Sequence, residues 1–135
     1  MINMQIMRYI NLLSKISKVK TNKCFLYNNM IIFAVPSALV SKAIGPGGKN
    51  IRVMQEQLGK KIKVIKDSNG VEDMERFVSN IVEPVTFVSL EIKNDKVIIT
   101  AGVRSKAALL GRNKRRLLEL KKIIEDNFGK ELRIV

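Results

Sequence analysis

Displaced by 66 residues, the chain lies on top of itself. Ile31-Ile32-Phe33 meets Val97-Ile98-Ile99, Asn28-Asn29 meets Asn94-Asp95, and Ile44, Gly45, Ile51 and Met54 meet Leu110, Gly111, Leu117 and Leu120. Upstream the offset is 68, pairing Ile6, Tyr9, Ile10 and Leu13 with Met74, Phe77, Val78 and Ile81. Downstream it is 70, pairing Leu58-Gly59-Lys60 with Phe128-Gly129-Lys130, and Ile62, Val64 and Ile65 with Leu132, Ile134 and Val135. A repeat of this period constrains a 135-residue chain to two copies of one small unit, here residues 1–67 and 68–135. The growth of the offset from 66 to 70 across the last helix is about one helical turn, so that helix is expected to be longer in the second copy.

The elements of a copy follow from periodicity. Ile2, Ile6, Tyr9, Ile10 and Leu13 mark an amphipathic helix ending near Ser14, and a basic connector, Ser17 to Asn22, follows. Cys24 to Tyr27 and Met30 to Val35 read as strands around Asn28-Asn29, a dipeptide that tolerates the left-handed conformations of a tight hairpin. Pro36-Ser37 is expected to stop the strand and cap a helix carrying Leu39, Ala43 and Ile44. A second helix carries Ile51, Met54 and Leu58 and ends at Gly59, and Lys61 to Lys66 alternates Ile62 and Val64 into a last strand. Asp67-Ser68-Asn69-Gly70 is the turn between copies, each of which reads α-β-β-α-(Gly loop)-α-β.

The loop between the paired helices, Ala43-Ile44-Gly45-Pro46-Gly47-Gly48-Lys49-Asn50-Ile51, is glycine-rich, basic and free of acids. Glycine lets the backbone reach positive φ and approach a partner closely, and a loop that opens a helix presents N–H groups and the positive dipole end, which suits an anion. It is not a Walker A loop, because Ala43 stands at the first glycine position and Asn50 at the hydroxyl position. It is not a dinucleotide fingerprint either: Asn50 stands at the third glycine, and a helix precedes the loop where a strand is required. What fits is Ile-Gly-x-x-Gly-x-x-Ile over residues 44–51, which resembles the signature of the KH nucleic-acid-binding module. A plain Gly-Pro-Gly-Gly surface turn is the alternative, and it does not account for the repeat. The second copy has Gly111-Arg112-Asn113-Lys114, with Lys114 where the last glycine belongs, so close backbone approach is in doubt there. Arg112, Lys114, Arg115 and Arg116 nevertheless crowd positive charge onto this loop and the following turn. Phosphate attraction through side chains is the expectation; the alternative is a solvated basic helix start, which the helix dipole disfavours.

Charge points the same way. Lys+Arg 25 against Asp+Glu 12 leaves +13, which calls for a polyanionic partner. The first copy holds 12 Lys/Arg and 2 Asp/Glu, a balance of +10, and the second 13 and 10, a balance of +3, so the first is the stronger electrostatic anchor. An anionic membrane is the weaker candidate, because no helix sets Lys/Arg opposite a wide apolar face and there is no Trp. The longest apolar run, Met30 to Val35, is too short to span a bilayer. Ile2 to Leu13 is interrupted by Asn3, Gln5, Arg8 and Asn11, which is unlike a signal peptide, and a cytoplasmic product is expected. Catalysis has little to work with: there is no His, and the single Cys24, expected to be a buried strand residue, forms neither an intrachain disulfide nor a metal cluster. No enzyme activity, cofactor or metal is expected.

The repeated pattern resembles the type II KH domain, and two such domains in tandem are similar to the archaeal NusA-type transcription factors, shortened relatives of the bacterial elongation and termination factor. The resemblance implies an α+β fold of two tandem type II KH domains, each with a three-stranded sheet packed against helices. It implies a monomer that binds single-stranded RNA in transcription elongation or termination, and leaves RNA polymerase or a nascent-transcript complex open as a further partner. Bacterial members also carry a polymerase-binding domain and an S1 domain, for which this sequence has no room. The working parts it implies are the backbone of Gly45, Pro46, Gly47, Gly48 and Lys49 on phosphates, with Asn50 inside the motif. Lys42, Lys49 and Arg52 form a cationic flank, and Ile44 and Ile51 an apolar floor for bases, although core packing explains those two equally well. In the second copy Gly111, Arg112, Asn113, Lys114, Arg115 and Arg116 take the corresponding part. The same module occurs in a small-subunit ribosomal protein, so a role on ribosomal RNA is the second reading; the absence of a long basic tail after Leu132 to Val135 argues against it.

Overall fold

Parallel β-strands cannot be joined by a tight turn; they need a crossover of a dozen or more residues, and this chain builds one twice. The structure, a computed structural model, describes residues 3–135. Ile2, read above as the start of the first apolar stripe, lies outside the described residues. The chain divides into two units, Met1–Ser68 and Asn69–Val135.

In the first unit, helix α1 (Met4–Ser17) precedes strands β1 (Lys23–Tyr27) and β2 (Met30–Val35), which pair antiparallel with Cys24 opposite Phe33. Asn28 and Asn29, at φ 50° and 61°, make the left-handed hairpin turn that the dipeptide predicts. Helices α2 (Val40–Ile44) and α3 (Lys49–Leu58) then carry the chain across to β3 (Lys61–Lys66), parallel to β2 with Phe33 opposite Val64. Ile6, Tyr9 and Leu13 of α1, Met54 of α3 and Ile31, Phe33 and Val35 of β2 form one buried cluster. Ile32 and Ala34, on the opposite face of β2, are fully buried too, which is why this central strand is apolar without interruption.

The second unit repeats the order with α4 (Met74–Val82), β4 (Ser89–Lys93), β5 (Lys96–Thr100), α5 (Val103–Leu110), α6 (Arg115–Phe128) and β6 (Glu131–Ile134). β4 pairs antiparallel with β5, and β5 parallel with β6. Met74, Phe77, Val78 and Ile81 are all fully buried, and Phe77 meets Phe128 edge to face with ring centroids 5.8 Å apart. α6 has 14 residues against 10 in α3, the extra turn that the changing offset predicts.

Four local expectations are corrected. α1 does not end near Ser14. Ile16 continues its apolar stripe, Ser17 is buried with its hydroxyl donating to the Leu13 carbonyl at 2.7 Å, and Lys18 at φ 64° ends the helix. Ser37 caps nothing: Ser37–Leu39 is a 3-10 turn with no side-chain cap, because Pro36 stands at its N-cap position, and α2 is only Val40–Ile44. The buried residues of β3 are Ile62 and Ile65, with Val64 half-buried, so the strand is apolar on both faces rather than alternating. Val135 lies past the end of β6 and is exposed, unlike its counterpart Ile65.

Candidate nucleic-acid interface

The turn between α2 and α3 is held open by its glycines. Gly45 adopts φ 82°, ψ 163°, a region closed to side chains, and a Cβ there would stand 2.8 Å from the Asn50 side chain and 3.0 Å from the Asn50 amide nitrogen. Gly47 (φ 60°, ψ 22°) and Gly48 (φ 76°, ψ 19°) follow in the left-handed region, and α3 begins at Lys49. The Gly45 N–H donates to the Ser41 carbonyl at 2.9 Å, the Gly48 N–H to the Gly45 carbonyl at 3.0 Å, and the Lys49 N–H to the Pro46 carbonyl. These three amides therefore hold the turn's own shape, and Pro46 has no N–H to offer.

Side chains complete the brace. Asn50 Nδ2 donates to the Lys42 carbonyl at 3.1 Å, tying the start of α3 to α2, and the Arg52 guanidinium reaches back to the Gly47 carbonyl. Asn50 and Arg52 thus support the turn, while Lys42, Pro46, Gly47 and Lys49 are exposed around it. Ile51 is half-buried against the core, and Ile44 is half-buried at the end of α2.

The turn between α5 and α6 repeats this path with different residues. Gly111 (φ 72°, ψ 176°) matches Gly45, Asn113 (φ 56°, ψ 30°) matches Gly47, and Lys114 (φ 58°, ψ 25°) matches Gly48. A Cβ on Gly111 would stand 2.8 Å from Arg116 Cγ, and the Lys114 N–H donates to the Gly111 carbonyl at 3.2 Å. Arg116 stands where Asn50 stood: one of its guanidinium N–H groups donates to the Ala108 carbonyl, eight residues upstream, at 3.2 Å. The lysine that put close approach in doubt leaves the backbone path unchanged, and its side chain is exposed with those of Arg112, Asn113 and Arg115. Arg116 is half-buried and committed to its brace, so three exposed cations, not four, surround this turn.

A groove of about 350 Å³ runs beside the start of α6, lined by Leu117 and Lys121 of α6, Lys96 of β5 and residues 131–134 of β6, including Arg133. Leu117 is the counterpart of Ile51, so the floor position recurs. Lys96, Lys121 and Arg133 lie far apart in the sequence and come together only in the fold. Leu118, in the place of Arg52, is 61% exposed. Among the described residues, no group of three or more His, Cys, Asp or Glu could hold a metal ion, and no helix is long and apolar enough to cross a membrane.

A helix, a strained turn and a helix crossing between parallel strands define the class, and the family model described as the KH domain matches residues 30–79, from β2 through the first turn and β3 into α4. Two curated relatives are both described as probable transcription termination protein NusA. The one from Methanocaldococcus jannaschii is 32% identical over 84 residues, 62% of this chain and 44% of that protein. The one from Methanococcus vannielii is 33% identical over 85 residues, 60% of this chain and 47% of that protein. The crystal structure of APE1850 superposes with a TM-score of 0.69 at 30% identity, covering 99% of this chain and 100% of that one. The chain belongs to the archaeal NusA-type KH protein family. Its match spans less than half the length of either curated relative.

Proposed function

We propose that the chain is a pair of type II KH domains, residues 1–67 and 68–135, that grips the backbone of single-stranded RNA with both helix-opening turns and acts in transcription elongation or termination. The observation that carries this reading is the second turn. Asn113 and Lys114 hold the left-handed path that glycines take in the first, although that region costs an L-residue about 1–2 kcal/mol. Backbone strain of this kind persists at ligand clamps, where the surrounding structure over-determines it.

In this reading Lys42 and Lys49 in one unit, and Arg112, Lys114 and Arg115 in the other, neutralise phosphates, while Gly45 and Gly111 allow the close turn. Asn50, Arg52 and Arg116 hold the turns in shape. Ile44 and Ile51, and Leu117 at the floor of its groove, meet the bases. The names of the two methanogen relatives support the link to transcription. Single-stranded RNA should outcompete a duplex of equal length, because this recognition needs splayed bases. Equal competition would reduce the binding to charge attraction. Crosslinking in cells should recover nascent transcript, with RNA polymerase nearby; recovery of ribosomal RNA alone would refute the transcriptional role.

A further inference from the structure

The first unit has a second groove, about 250 Å³, at the opposite end of α3 from the turn. Arg8, Asn11, Leu12 and Lys15 of α1 line it together with Gln57 and Leu58 of α3. Gln57 and Leu58 stand eight and nine residues beyond Lys49, so the groove lies about 13 Å along the helix from it. Leu12 and Leu58 are half-buried against the core and form an aliphatic floor, whereas Arg8, Asn11 and Lys15 are exposed along one stripe of α1. Met4, one turn before Arg8 on that stripe, is 88% exposed. Neither the lining nor any part of α1 contains a carboxylate.

Two cations seven residues apart, about 10.5 Å along the helix, thus bracket an aliphatic floor, and an exposed flexible methionine stands one turn beyond the first of them. RNA would supply phosphates to the cations but no aliphatic side chain to the floor, and no aromatic ring lines the groove for a base to stack on. A helix carrying apolar side chains between carboxylates two turns apart satisfies both features, in the manner of peptides that lay an apolar face into a groove. We infer that this groove docks an acidic amphipathic segment of a partner protein, leaving the turn free for RNA. The inference does not depend on the RNA-binding proposal.

The test uses the full chain and a fluorescein-labelled synthetic peptide with Glu at i and i+7 flanking Leu residues, beside its scrambled isomer of equal charge. Anisotropy should show the ordered peptide binding about tenfold more tightly than the isomer. Saturating oligo(U) should not displace it. Arg8→Gln with Lys15→Gln, both at exposed sites, should abolish the preference while keeping the wild-type melting curve and oligo(U) affinity within about twofold. Equal binding of the two isomers, or of neither, overturns the inference. So does a parallel loss of oligo(U) and peptide binding in the double variant, which would make the groove an RNA surface; the oligo(U) arm reports on RNA binding separately.

Discussion

At Gly45 an added Cβ would collide with both the side chain and the backbone of Asn50, whereas at Gly47 it would meet nothing within 4 Å. Gly45→Ala should therefore cost about 1–3 kcal/mol and lower Tm more than Gly47→Ala, whose cost is confined to the left-handed backbone. Lys114 offers the converse test. Lys114→Gly removes a strained side chain and should raise Tm while weakening RNA binding, a divergence that a merely structural lysine would not produce. Asn113→Gly should raise Tm less, since Asn tolerates this region. Cys24 is sealed in β1, and burial pushes its thiol up to about 12 from an ordinary 9.0. Between those values the unfolded chain has lost the proton and the folded one keeps it, so this group's stabilising contribution falls as pH rises through that window. At neutral pH iodoacetamide should label Cys24 only after unfolding; rapid labelling of the folded chain would contradict its burial.

At the scale of elements, a polar contact ties the helices of each pair together, Asn50 to the Lys42 carbonyl and Arg116 to the Ala108 carbonyl. Asn50→Ala and Arg116→Ala should each cost about 1 kcal/mol, read in urea melts, and loosen the turn they brace. Much of this architecture was legible in the sequence. Asn28-Asn29 announced its hairpin through conformational preference, and the offset between the copies carried the extra turn of α6 because helical rise converts residues directly into length. The 3-10 start before α2 was not legible, since Pro36 prevents the cap that Ser37 implies by type. Nor was the bracing role of Arg116. Its carbonyl partner lies on another helix, and a pattern of residue types shows charge without showing whether a tertiary contact has already engaged it. Lys96, Lys121 and Arg133 were missed for the same reason, as they meet only where α6 passes the strands.

Over the whole molecule, the net charge of +13 is divided +10 to +3 between the copies, while the turns share one backbone path. Electrostatic anchoring should therefore be unequal even though both turns are formed. Neutralising about 5 phosphates gives a slope of log K against log salt near roughly −3.5, about a hundredfold loss between 50 and 200 mM. Arg112→Ala with Lys114→Ala should flatten that slope and weaken binding by about tenfold, leaving the first turn in place.

The most direct measurement is the affinity of the folded chain for single-stranded RNA when carboxylates replace the exposed tip of the first turn. Pro46→Asp with Gly47→Asp sets two negative charges at this exposed tip, where the proposed phosphate contact would fall, and spares Gly45 and Gly48. With circular dichroism and melting confirming the fold, the account predicts loss of most RNA affinity, larger than the loss from Arg112→Ala with Lys114→Ala. Unchanged affinity in a folded Pro46→Asp, Gly47→Asp protein, together with a flat salt response in the wild type, would contradict the claim that the turns hold the RNA backbone.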